Sequence, residues 1–514
     1  MGGARCRGAG AGWAGAQARA VRGFSAVGLS RSSSTADRRR EGVKEHGRHD
    51  ARRARTVEPV QRRVTAGKAL TTLSAVVRSS TMLHALHLKN VGPAEKTDLE
   101  LAPRLNLFTG DNGLGKSFLL DVAWWALTRK WPHDLNPELT SGFPARPTDP
   151  RKPATISFGL SSKVKDVEYT SQYVARDEAW TGKAGRPWNP GLVIYAHADG
   201  GFSVWDPARN YWRKRGSIDV QDRPAGYVLT PSNVWDGLSR VVDGRKTVVC
   251  NGLLADWASW IKEGGKNAEQ MATALKHLTA DEALSVGPLV RLSVNDARDI
   301  PSINTDYAKA VPVLHASSGV RRVLGLAYML IWSWNEHVRA AELLGEERTS
   351  QVVLLFDEIE SHLHPRWQRT ILRSLLTIAE TLHEDAQVQL LTATHSPLIL
   401  ASAEPLFDDE QDAWFDIDLE KGKVVLRKRP FVRHGEVSNW LTSDAFDLRT
   451  ARSQEAELAV AAAQKLLRDR ERSVARVKQA DRDLRKVLSD VDPFWVRWSA
   501  FVQGEDRPSR GESV

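Results

Sequence analysis

A glycine-rich stretch near residue 110 carries the residue types that bind phosphate groups, and it matches the pattern G-x-x-x-x-G-K-[ST] without a mismatch. Its residues are Gly110, Asp111, Asn112, Gly113, Leu114, Gly115, Lys116 and Ser117. The glycines let backbone N–H groups surround phosphate oxygens, and the following helix points its positive end at the same anion. Lys116 is predicted to reach the β- and γ-phosphates of ATP, and Ser117 to ligate Mg²⁺. An apolar strand before this phosphate loop and an apolar helix after it favour that interpretation over a structural turn.

Two adjacent acids follow an apolar run about 240 residues further along the chain. Val352–Phe356 is typical of a buried parallel strand, and Asp357 and Glu358 come directly after it. Ligands bind beyond the carboxyl ends of such strands. Asp357 is predicted to hold Mg²⁺ beside Ser117, and Glu358 to act as the general base that polarises the attacking water. The alternative, a strand that ends in solvated acids, is disfavoured because the phosphate loop is present.

A Ser-Ser-Gly sequence begins another predicted helix. Ser317, Ser318 and Gly319 precede the apolar stretch Val320–Trp334. A serine hydroxyl and free N–H groups at a helix N-terminus can bind an anion, although they also make an ordinary helix cap. Because the segment lies just before the acidic pair, we interpret Ser318 and Gly319 as ATP-binding residues.

A single histidine follows the next predicted strand. His395 lies in Thr394-His395-Ser396-Pro397, after the strand-like Val388–Thr392. A lone histidine is usually structural. This one is predicted at the carboxyl end of a strand beside the acidic pair, so we interpret His395 as a sensor of the γ-phosphate.

These residues require an α/β fold in which a parallel sheet brings the phosphate loop and the acidic pair together. We call the predicted nucleotide-binding domain the head and Ser317-Ser318-Gly319 the signature. The first part of the head is residues 82–235, with the phosphate loop and an antiparallel β-lobe, and a helical insertion follows at 236–285. The second part of the head is 286–407, with the signature, the acidic pair and His395, and residues 408–514 form a hairpin and a long helix at about Ser453–Leu488.

The composition supports a globular protein with a sizeable core. The 514 residues are 41% hydrophobic and 26% charged, and no apolar run approaches the length of a membrane span. The two cysteines, Cys6 and Cys250, form no disulfide framework. We therefore predict a cytoplasmic protein without membrane contact.

The basic charge is concentrated in the first 80 residues. Residues 1–80 contain 17 Lys/Arg and 5 Asp/Glu, a net charge of +12. Since the whole chain has a net charge of +9, the remaining residues sum to −3. The total charge is therefore no evidence that the folded body binds nucleic acid. The segment is predicted to be disordered. It could be a targeting peptide, a nucleic-acid-binding tail, or upstream sequence that does not belong to the native protein, and we favour the last because Met82 stands where the fold begins.

The motifs occur together, in this order, in a known family. The phosphate loop, the signature, the acidic pair followed by His362-Leu363-His364-Pro365, and Thr394–Pro397 resemble the ABC-like AAA ATPases of the SMC/RecF/OLD/AbiEii group. We call residues 359–365 the HLHP loop. The resemblance implies a P-loop ATPase head that dimerises on two ATP molecules, with Ser318 and Gly319 acting on the partner's γ-phosphate and the segment Ser361–His364 near the dimer seam. It also implies ATP and Mg²⁺ as cofactors.

The chain departs from its better-known relatives. Its signature differs from LSGGQ, and it shows neither a coiled-coil arm nor a TOPRIM nuclease after Ala403. Gln172 is a candidate for the glutamine that senses Mg²⁺, although its place in a predicted strand favours a surface residue. The chain most resembles standalone ATPases that control a separate effector, a nuclease or toxin, in phage defence. The alternative is a DNA-repair or DNA-clamp ATPase that binds DNA.

Overall fold

The computed structural model describes residues 82–161, 166–182, 188–210, 214–215, 218–219, 226–242, 244–279, 284–382, 386–469 and 473–505. The basic segment 1–80 lies outside these residues, so the expectations for it stay predictions. Across the part of the chain that the structure describes, no helix is both long and apolar enough to cross a membrane.

The first part of the described chain is built mainly from strands. Its elements in order are β1 (Leu83–Lys89), β2 (Lys96–Glu100), β3 (Leu105–Gly110), α1 (Lys116–Thr128), α2 (Pro132–Leu135), β4 (Thr155–Leu160), β5 (Val167–Val174), β6 (Ala179–Trp180), β7 (Leu192–Ala196), β8 (Phe202–Trp205), α3 (Pro207–Asn210), β9 (Lys214–Arg215), β10 (Ile218–Asp219) and β11 (Tyr227–Leu229). The apolar strand and the apolar helix predicted on either side of the phosphate loop are confirmed as β3 and α1.

The second part is richer in helices. Its elements in order are α4 (Pro231–Asp236), β12 (Leu238–Val242), β13 (Arg245–Cys250), α5 (Leu253–Glu263), α6 (Lys266–Leu278), β14 (Ser285–Val286), β15 (Ser302–Asn304), β16 (Val311–Pro312), a 3₁₀ turn (Val313–His315), α7 (Ser318–Leu344), β17 (Gln351–Phe356), α8 (Pro365–Gln368), α9 (Ile371–Leu382), β18 (Gln387–Ala393), α10 (Pro397–Ala403), β19 (Asp412–Glu420), β20 (Lys423–Arg429), α11 (Val437–Leu441), α12 (Gln454–Arg468), α13 (Val474–Val487) and α14 (Phe494–Glu505).

An eight-stranded sheet forms the centre of the fold. Its strand order is β11-β8-β7-β17-β18-β3-β19-β20. The five central strands, from β7 to β19, all pair in parallel, whereas both flanks pair antiparallel. The parallel pairing places the carboxyl ends of β3, β17 and β18 at one edge, which is where ligands bind in such sheets. The α/β fold class predicted from the sequence is confirmed.

A second sheet covers one face of the central sheet. Its five strands pair antiparallel in the order β2-β1-β4-β5-β6 and form the β-lobe. Helix α1 contacts β1 of this lobe as well as β3, β17 and β18 of the central sheet, and nearly all of its side chains are buried. This is why the sequence of α1 is apolar on every side rather than along one stripe.

Alternate residues of β17 enter two different cores. Val352, Leu354 and Phe356 pack into the core that contains α7 and α9, whereas Val353 and Leu355 pack into the core that contains α1 and the β-lobe. Side chains of a strand alternate between its faces, so a strand covered on both sides reads as a continuous apolar run. The double burial fixes the position at which the acidic pair leaves the sheet.

The predicted helical stretch from residue 236 to 285 contains a β-hairpin. Strands β12 and β13 pair antiparallel before α5 and α6 begin, and Gly244 has a φ of 74° in the turn between them. The sequence Asp243-Gly244 between valine-rich segments is a strong hairpin signal. Trp257 and Trp260, whose spacing predicts a helix, both lie in α5. The sequence of Leu289–Val294 predicts a strand, but Val290 and Ser293 form isolated bridges instead.

The regular spacing of turn residues in 130–235 predicts antiparallel strands, among them the strand-like segment Leu192–His197; this is correct for its pairing with β8 and wrong for its pairing with β17. This segment forms β7, which pairs in parallel with β17 from Leu192 to Ala196. Every residue of β7 is buried. Such an unbroken apolar run is typical of a parallel strand covered on both faces, and this signal outweighs the nearby turn residues.

The single long helix predicted at about Ser453–Leu488 is also wrong. The structure has α12 and α13 in its place, and Ser473 Oγ caps α13 by accepting a hydrogen bond from Arg476 N. The two helices pack with α14 around a small core of their own that includes Val477, Leu484 and Trp498. The apolar stripe therefore closes a helical appendage instead of extending one helix.

Candidate functional site

The phosphate loop joins β3 to α1 through three glycines with positive φ. These angles are 130° at Gly110, 80° at Gly113 and 103° at Gly115. A Cβ atom on Gly110 would lie 2.0 Å from the carbonyl oxygen of Ile417, and one on Gly115 would lie 2.5 Å from Cγ of Pro93. Both the backbone conformation and the space therefore require glycine at these two positions. Asp111 and Asn112 are exposed and Leu114 is half-buried.

Lys116 is buried beneath its own loop. Its Nζ donates hydrogen bonds to the carbonyl oxygens of Gly110 and Asp111, each at 2.8 Å, and 5% of the residue is exposed. Burial lowers the pKa of Lys116, and the nearby carboxylates of Asp357 and Glu358 oppose that shift. The carbonyl oxygens of the loop thus hold the ammonium, and a stronger acceptor bound in the loop, such as a phosphate oxygen, would compete with them for its hydrogen bonds.

Ser117 and Asp357, 240 residues apart in the chain, are in direct contact. Ser117 Oγ donates a hydrogen bond to Asp357 Oδ1 at 2.9 Å. Asp357 N donates to the carbonyl oxygen of Ala196 on β7, which fixes the carboxylate at the edge of the sheet. Burial raises the pKa of Asp357 to about 6, and the adjacent Glu358 adds to the shift, while the Ser117 hydrogen bond and Lys116 oppose it. The hydroxyl and the carboxylate supply the oxygen ligands that Mg²⁺ prefers.

Glu358 is held in an unusual backbone conformation. Its φ is 47°, in the left-handed region that costs a non-glycine residue on the order of 1 kcal/mol. The carbonyl oxygen of Glu358 accepts a hydrogen bond from Ser361 N at 2.8 Å, so a tight turn directly follows the acidic pair. Strain of this kind is typical of positions where the direction of a side chain matters more than backbone stability.

His395 follows β18 at the same edge of the sheet. Its backbone N donates to Glu360 Oε1 at 2.5 Å, and the neighbouring Thr394 N donates to the carbonyl oxygen of Phe108 on β3. Burial lowers the pKa of His395, and so does the charge of Lys116, while Glu358 opposes the shift. The structure therefore brings His395 into the same electrostatic neighbourhood as the phosphate loop and the acidic pair.

The signature residues lie against the HLHP loop. Ser317 Oγ caps α7 by accepting a hydrogen bond from Val320 N, and Ser318 is exposed. A Cβ atom on Gly319 would lie 2.6 Å from the carbonyl oxygen of His362. The structure thus brings Gly319 to the HLHP loop of the same chain, whereas its nearest neighbours do not include the phosphate loop.

The family model described as "AAA domain, putative AbiEii toxin, Type IV TA system" matches residues 105–401, more than half of the 514-residue chain. The chain belongs to this AAA family. The predicted resemblance to ABC-like AAA ATPases is therefore confirmed, and the phosphate loop, acidic pair and His395 all lie within the matched residues of this AAA domain.

The chain is also similar to individual proteins, each at low sequence identity. The Retron Ec83 probable ATPase of Escherichia coli is 29% identical over 135 residues, which is 26% of this chain and 21% of the relative. The chain therefore aligns with about a fifth of that relative's length. Among solved structures, an Smc head bound to a domain of ScpA is 12% identical to this chain, and RecF is 14% identical. Each alignment covers 68% of this chain and has a TM-score of 0.33. The alignments include 97% of the Smc head and 99% of RecF.

Two residues of the AAA domain that sequence reasoning missed link α1 to β7. Tyr195 OH donates a hydrogen bond to Asp121 Oδ1 at 3.0 Å, and both residues are buried. Burial raises the pKa of Asp121 to about 7, against the lowering effect of the Tyr195 hydrogen bond. A lone aspartate in the apolar sequence of α1 was the available signal, because a buried carboxylate requires a partner.

Arg322 is a third residue that was missed. It lies one turn into α7, where its Nη2 donates to the carbonyl oxygen of His197 at 2.8 Å. Burial lowers the pKa of Arg322, while Asp199, Asp357 and Glu358 oppose the shift. An arginine three residues after Gly319, just before the apolar stretch of α7, was the signal in the sequence.

The candidate magnesium sensor Gln172 lies on β5 in the β-lobe, opposite Thr155, and its side chain is exposed. This position matches the alternative interpretation of Gln172 as a surface residue of a strand.

Proposed function

We propose that this AAA domain binds ATP with Mg²⁺ and hydrolyses it to ADP and phosphate. The observation that carries the proposal is the 2.9 Å hydrogen bond between Ser117 Oγ and Asp357 Oδ1, with buried Lys116 in the same site. A loop and a strand end that are 240 residues apart have no other reason to place a hydroxyl, a carboxylate and an ammonium together. This combination binds a metal–triphosphate.

The residues present fit Mg²⁺. Ser117 and Asp357 offer one hydroxyl and one carboxylate, and Mg²⁺ in nucleotide sites is usually held by one or two such protein ligands together with phosphates. Burial raises the pKa of Asp357, so a nearby cation would stabilise the ionised form. When bound, Mg²⁺ supplies positive charge that neutralises the phosphate oxygens.

The chain's own residues perform the remaining work. The backbone N–H groups of the phosphate loop and the N-terminus of α1 bind the phosphates. Lys116 exchanges its loop carbonyl acceptors for the β- and γ-phosphates. Glu358 takes a proton from the attacking water, and His395 contacts the γ-phosphate from the end of β18.

We further propose that two copies close on ATP. Ser318 is exposed at the start of α7, and Gly319 packs against the HLHP loop, so these two motifs form one surface. In a dimer, this surface would present the Ser318 hydroxyl and the N-terminus of α7 to the γ-phosphate of the partner. The site would then be complete only when both copies are bound.

The partner that this cycle controls is proposed to be an effector protein in phage defence. The family description names a toxin–antitoxin system, and the Escherichia coli relative is named as a retron ATPase. Both names belong to those proteins, and they support the proposal for this chain. Co-purification with an effector protein is the expected result, whereas strong stimulation of hydrolysis by DNA at low salt would favour a DNA clamp instead.

The test of hydrolysis uses two variants and a matched control. Glu358→Gln is expected to lower turnover at least about 100-fold while it retains ATP binding, because glutamine cannot accept the proton. Lys116→Ala is expected to lose ATP binding. Lys96→Ala removes an exposed lysine on β2 and should leave both unchanged. Wild-type turnover by Glu358→Gln would contradict the assignment of the base.

The same variant tests dimerisation. Glu358→Gln with ATP and Mg²⁺ should double in mass by light scattering, since bound ATP then persists. Adding Ser318→Glu, which places a negative charge at an exposed position, should return the protein to a monomer. A Glu358→Gln protein that binds ATP and stays monomeric at every concentration would contradict the dimer.

A further inference from the structure

Glu360 binds the segment that carries His395 through both of its carboxylate oxygens. Oε1 accepts the hydrogen bond from His395 N at 2.5 Å, and Oε2 accepts one from Thr394 Oγ1 at 2.8 Å. Burial raises the pKa of Glu360, and these two hydrogen bonds oppose the shift. Hydrogen bonds to an ionised carboxylate are about twice as strong as neutral ones, so this contact fixes the backbone at His395.

A second bridge holds the other side of His395. Ser396 Oγ donates to Gln368 Oε1 at 2.7 Å, and Gln368 Nε2 donates to the carbonyl oxygen of Leu363 at 3.0 Å. The residues before and after His395 are therefore both tied to the segment that follows the acidic pair. The imidazole projects from a backbone whose two neighbours are fixed.

The HLHP loop contacts the signature on its other side. The carbonyl oxygen of His362 lies where a side chain on residue 319 would have to go, and His362 has a φ of 63°. Glu360 thus belongs to a loop that contacts the segment of His395 on one side and the N-terminus of α7 on the other. A movement at His395 cannot leave this loop unchanged while the Glu360 hydrogen bonds persist.

We infer that Glu360 is a positioning residue for His395, and that through the HLHP loop it couples the orientation of this histidine to the signature of the same chain. The inference rests on the proposed ATP hydrolysis and on the role of His395 in it. Glu360 itself takes no part in the chemistry. It holds the His395 backbone at the carboxyl end of β18 through the two hydrogen bonds to this segment.

The test compares turnover in single and double variants of the full chain. Glu360→Ala is expected to lower kcat for ATP about tenfold with a nearly unchanged KM, because the phosphate loop stays intact while His395 is misplaced. Glu360→Gln should keep kcat within about threefold of wild type, since its carbonyl oxygen can still accept from His395 N and its amide can donate to Thr394 Oγ1. In the His395→Ala background, Glu360→Ala should cause no additional loss.

Glu404 provides a matched control. Its Oε1 accepts hydrogen bonds from His434 N, Gly435 N and Trp440 Nε1. Like Glu360, it is therefore a carboxylate that connects two segments of the chain, but its partners do not belong to the phosphate loop or to the segment of His395. Glu404→Ala is expected to lower the melting temperature and leave kcat unchanged. A merely structural role for Glu360 would make Glu360→Ala behave in the same way.

Three results would overturn the inference. Turnover losses of Glu360→Ala and His395→Ala that multiply in the double variant would show that Glu360 does not act through His395. A Glu360→Ala protein with wild-type kcat beside an impaired His395→Ala protein would remove the inference and leave the proposed function in place. Wild-type turnover by His395→Ala would instead remove the proposed role of the histidine, and the inference with it.

Discussion

Two buried aspartates stand at opposite edges of the central sheet. At the amino-terminal edge, Asp412 begins β19, and both of its oxygens are engaged by the Arg104 guanidinium, with Nε donating at 2.8 Å. The backbone N of Asp408 also donates to Asp412, at 2.9 Å. At the carboxyl edge, Asp357 follows β17 and accepts a hydrogen bond from Ser117, and burial raises its pKa to about 6.

The two aspartates differ in how fully their partners compensate the buried charge, and this distinguishes a structural carboxylate from a candidate functional one in the same sheet. A buried carboxylate that a guanidinium and a backbone N–H already satisfy has a structural role. A buried carboxylate whose pKa is raised is poorly compensated, and a cation would stabilise its ionised form. In a parallel sheet, the loops before the strands and the loops after them lie at opposite edges. The candidate site lies at the edge formed by the carboxyl ends of the strands.

The largest expected effect is on turnover at the carboxyl edge. Asp357→Asn should lower kcat about 1000-fold, equivalent to about 4 kcal/mol, because the amide does not replace the anionic ligand of Mg²⁺. The measurement is phosphate release from ATP with excess Mg²⁺. The matched control is Asp418→Asn, a partly exposed residue on β19, which should be neutral. A kcat within tenfold of wild type for Asp357→Asn would remove the contrast between the two edges.

The next effect is on stability at the amino-terminal edge. Asp412→Ala should lower the free energy of unfolding by about 3 kcal/mol, since it leaves a partly buried arginine without its counter-ion. Urea denaturation of the nucleotide-free protein measures this. The Arg427–Glu420 pair on β19 and β20 is also a bidentate ion pair, but it is more exposed, so Glu420→Ala should change stability much less. Equal effects of both variants would contradict the structural role assigned to Asp412.

Contiguous patterns predicted most of the residues that the structure brings together at the carboxyl edge. The phosphate loop, the apolar run of β17 and the acid pair after it are each encoded within about eight residues, so sequence alone indicates them. The hairpin of β19 and β20, with Gly422 in its turn, was predicted for the same reason. Local periodicity and turn residues are the signals that a single sequence shows most clearly.

Contacts between distant segments could not be predicted in this way. The link between Tyr195 and Asp121 depends on β7 joining the parallel sheet, which competing turn residues concealed. The approach of Gly319 to His362 depends on how α7 packs on the HLHP loop. The break between α12 and α13 was missed because apolar residues at helical spacing continue on both sides of it.

Asp121 on α1 is a third buried aspartate, and it tests whether a poorly compensated carboxylate can also occur away from the acidic pair. Burial raises the folded-state pKa of Asp121 from 3.8 to about 7. The folded state therefore binds more protons than the unfolded state between these values, and the associated stability is present below pH 4 and is lost as pH rises through 7. We expect the wild-type protein to lose about 2.5 kcal/mol more than Asp121→Asn between pH 5 and pH 8, since each unit of pKa shift corresponds to about 1.4 kcal/mol.

The measurement for Asp121 is urea denaturation of both proteins at several pH values between 5 and 8, without nucleotide. Asparagine keeps an acceptor for Tyr195 and does not titrate, so the difference between the two curves reports the titration of Asp121 together with its repulsion by Asp357. Parallel curves would show that Asp121 has an ordinary pKa and is not a poorly compensated carboxylate.

The smallest expected effect comes from the donor to that carboxylate. Tyr195→Phe removes a buried hydrogen bond and should cost about 1 kcal/mol, more at pH 8 than at pH 5, because the bond to an ionised carboxylate is the stronger one. The pH dependence of stability should therefore become steeper in Tyr195→Phe, as the pKa of Asp121 rises further. In the Asp121→Asn background this additional pH dependence should disappear, since no titrating partner remains. A cost that is the same at every pH would mean that the hydroxyl contributes through packing and leaves the charge of Asp121 unaffected.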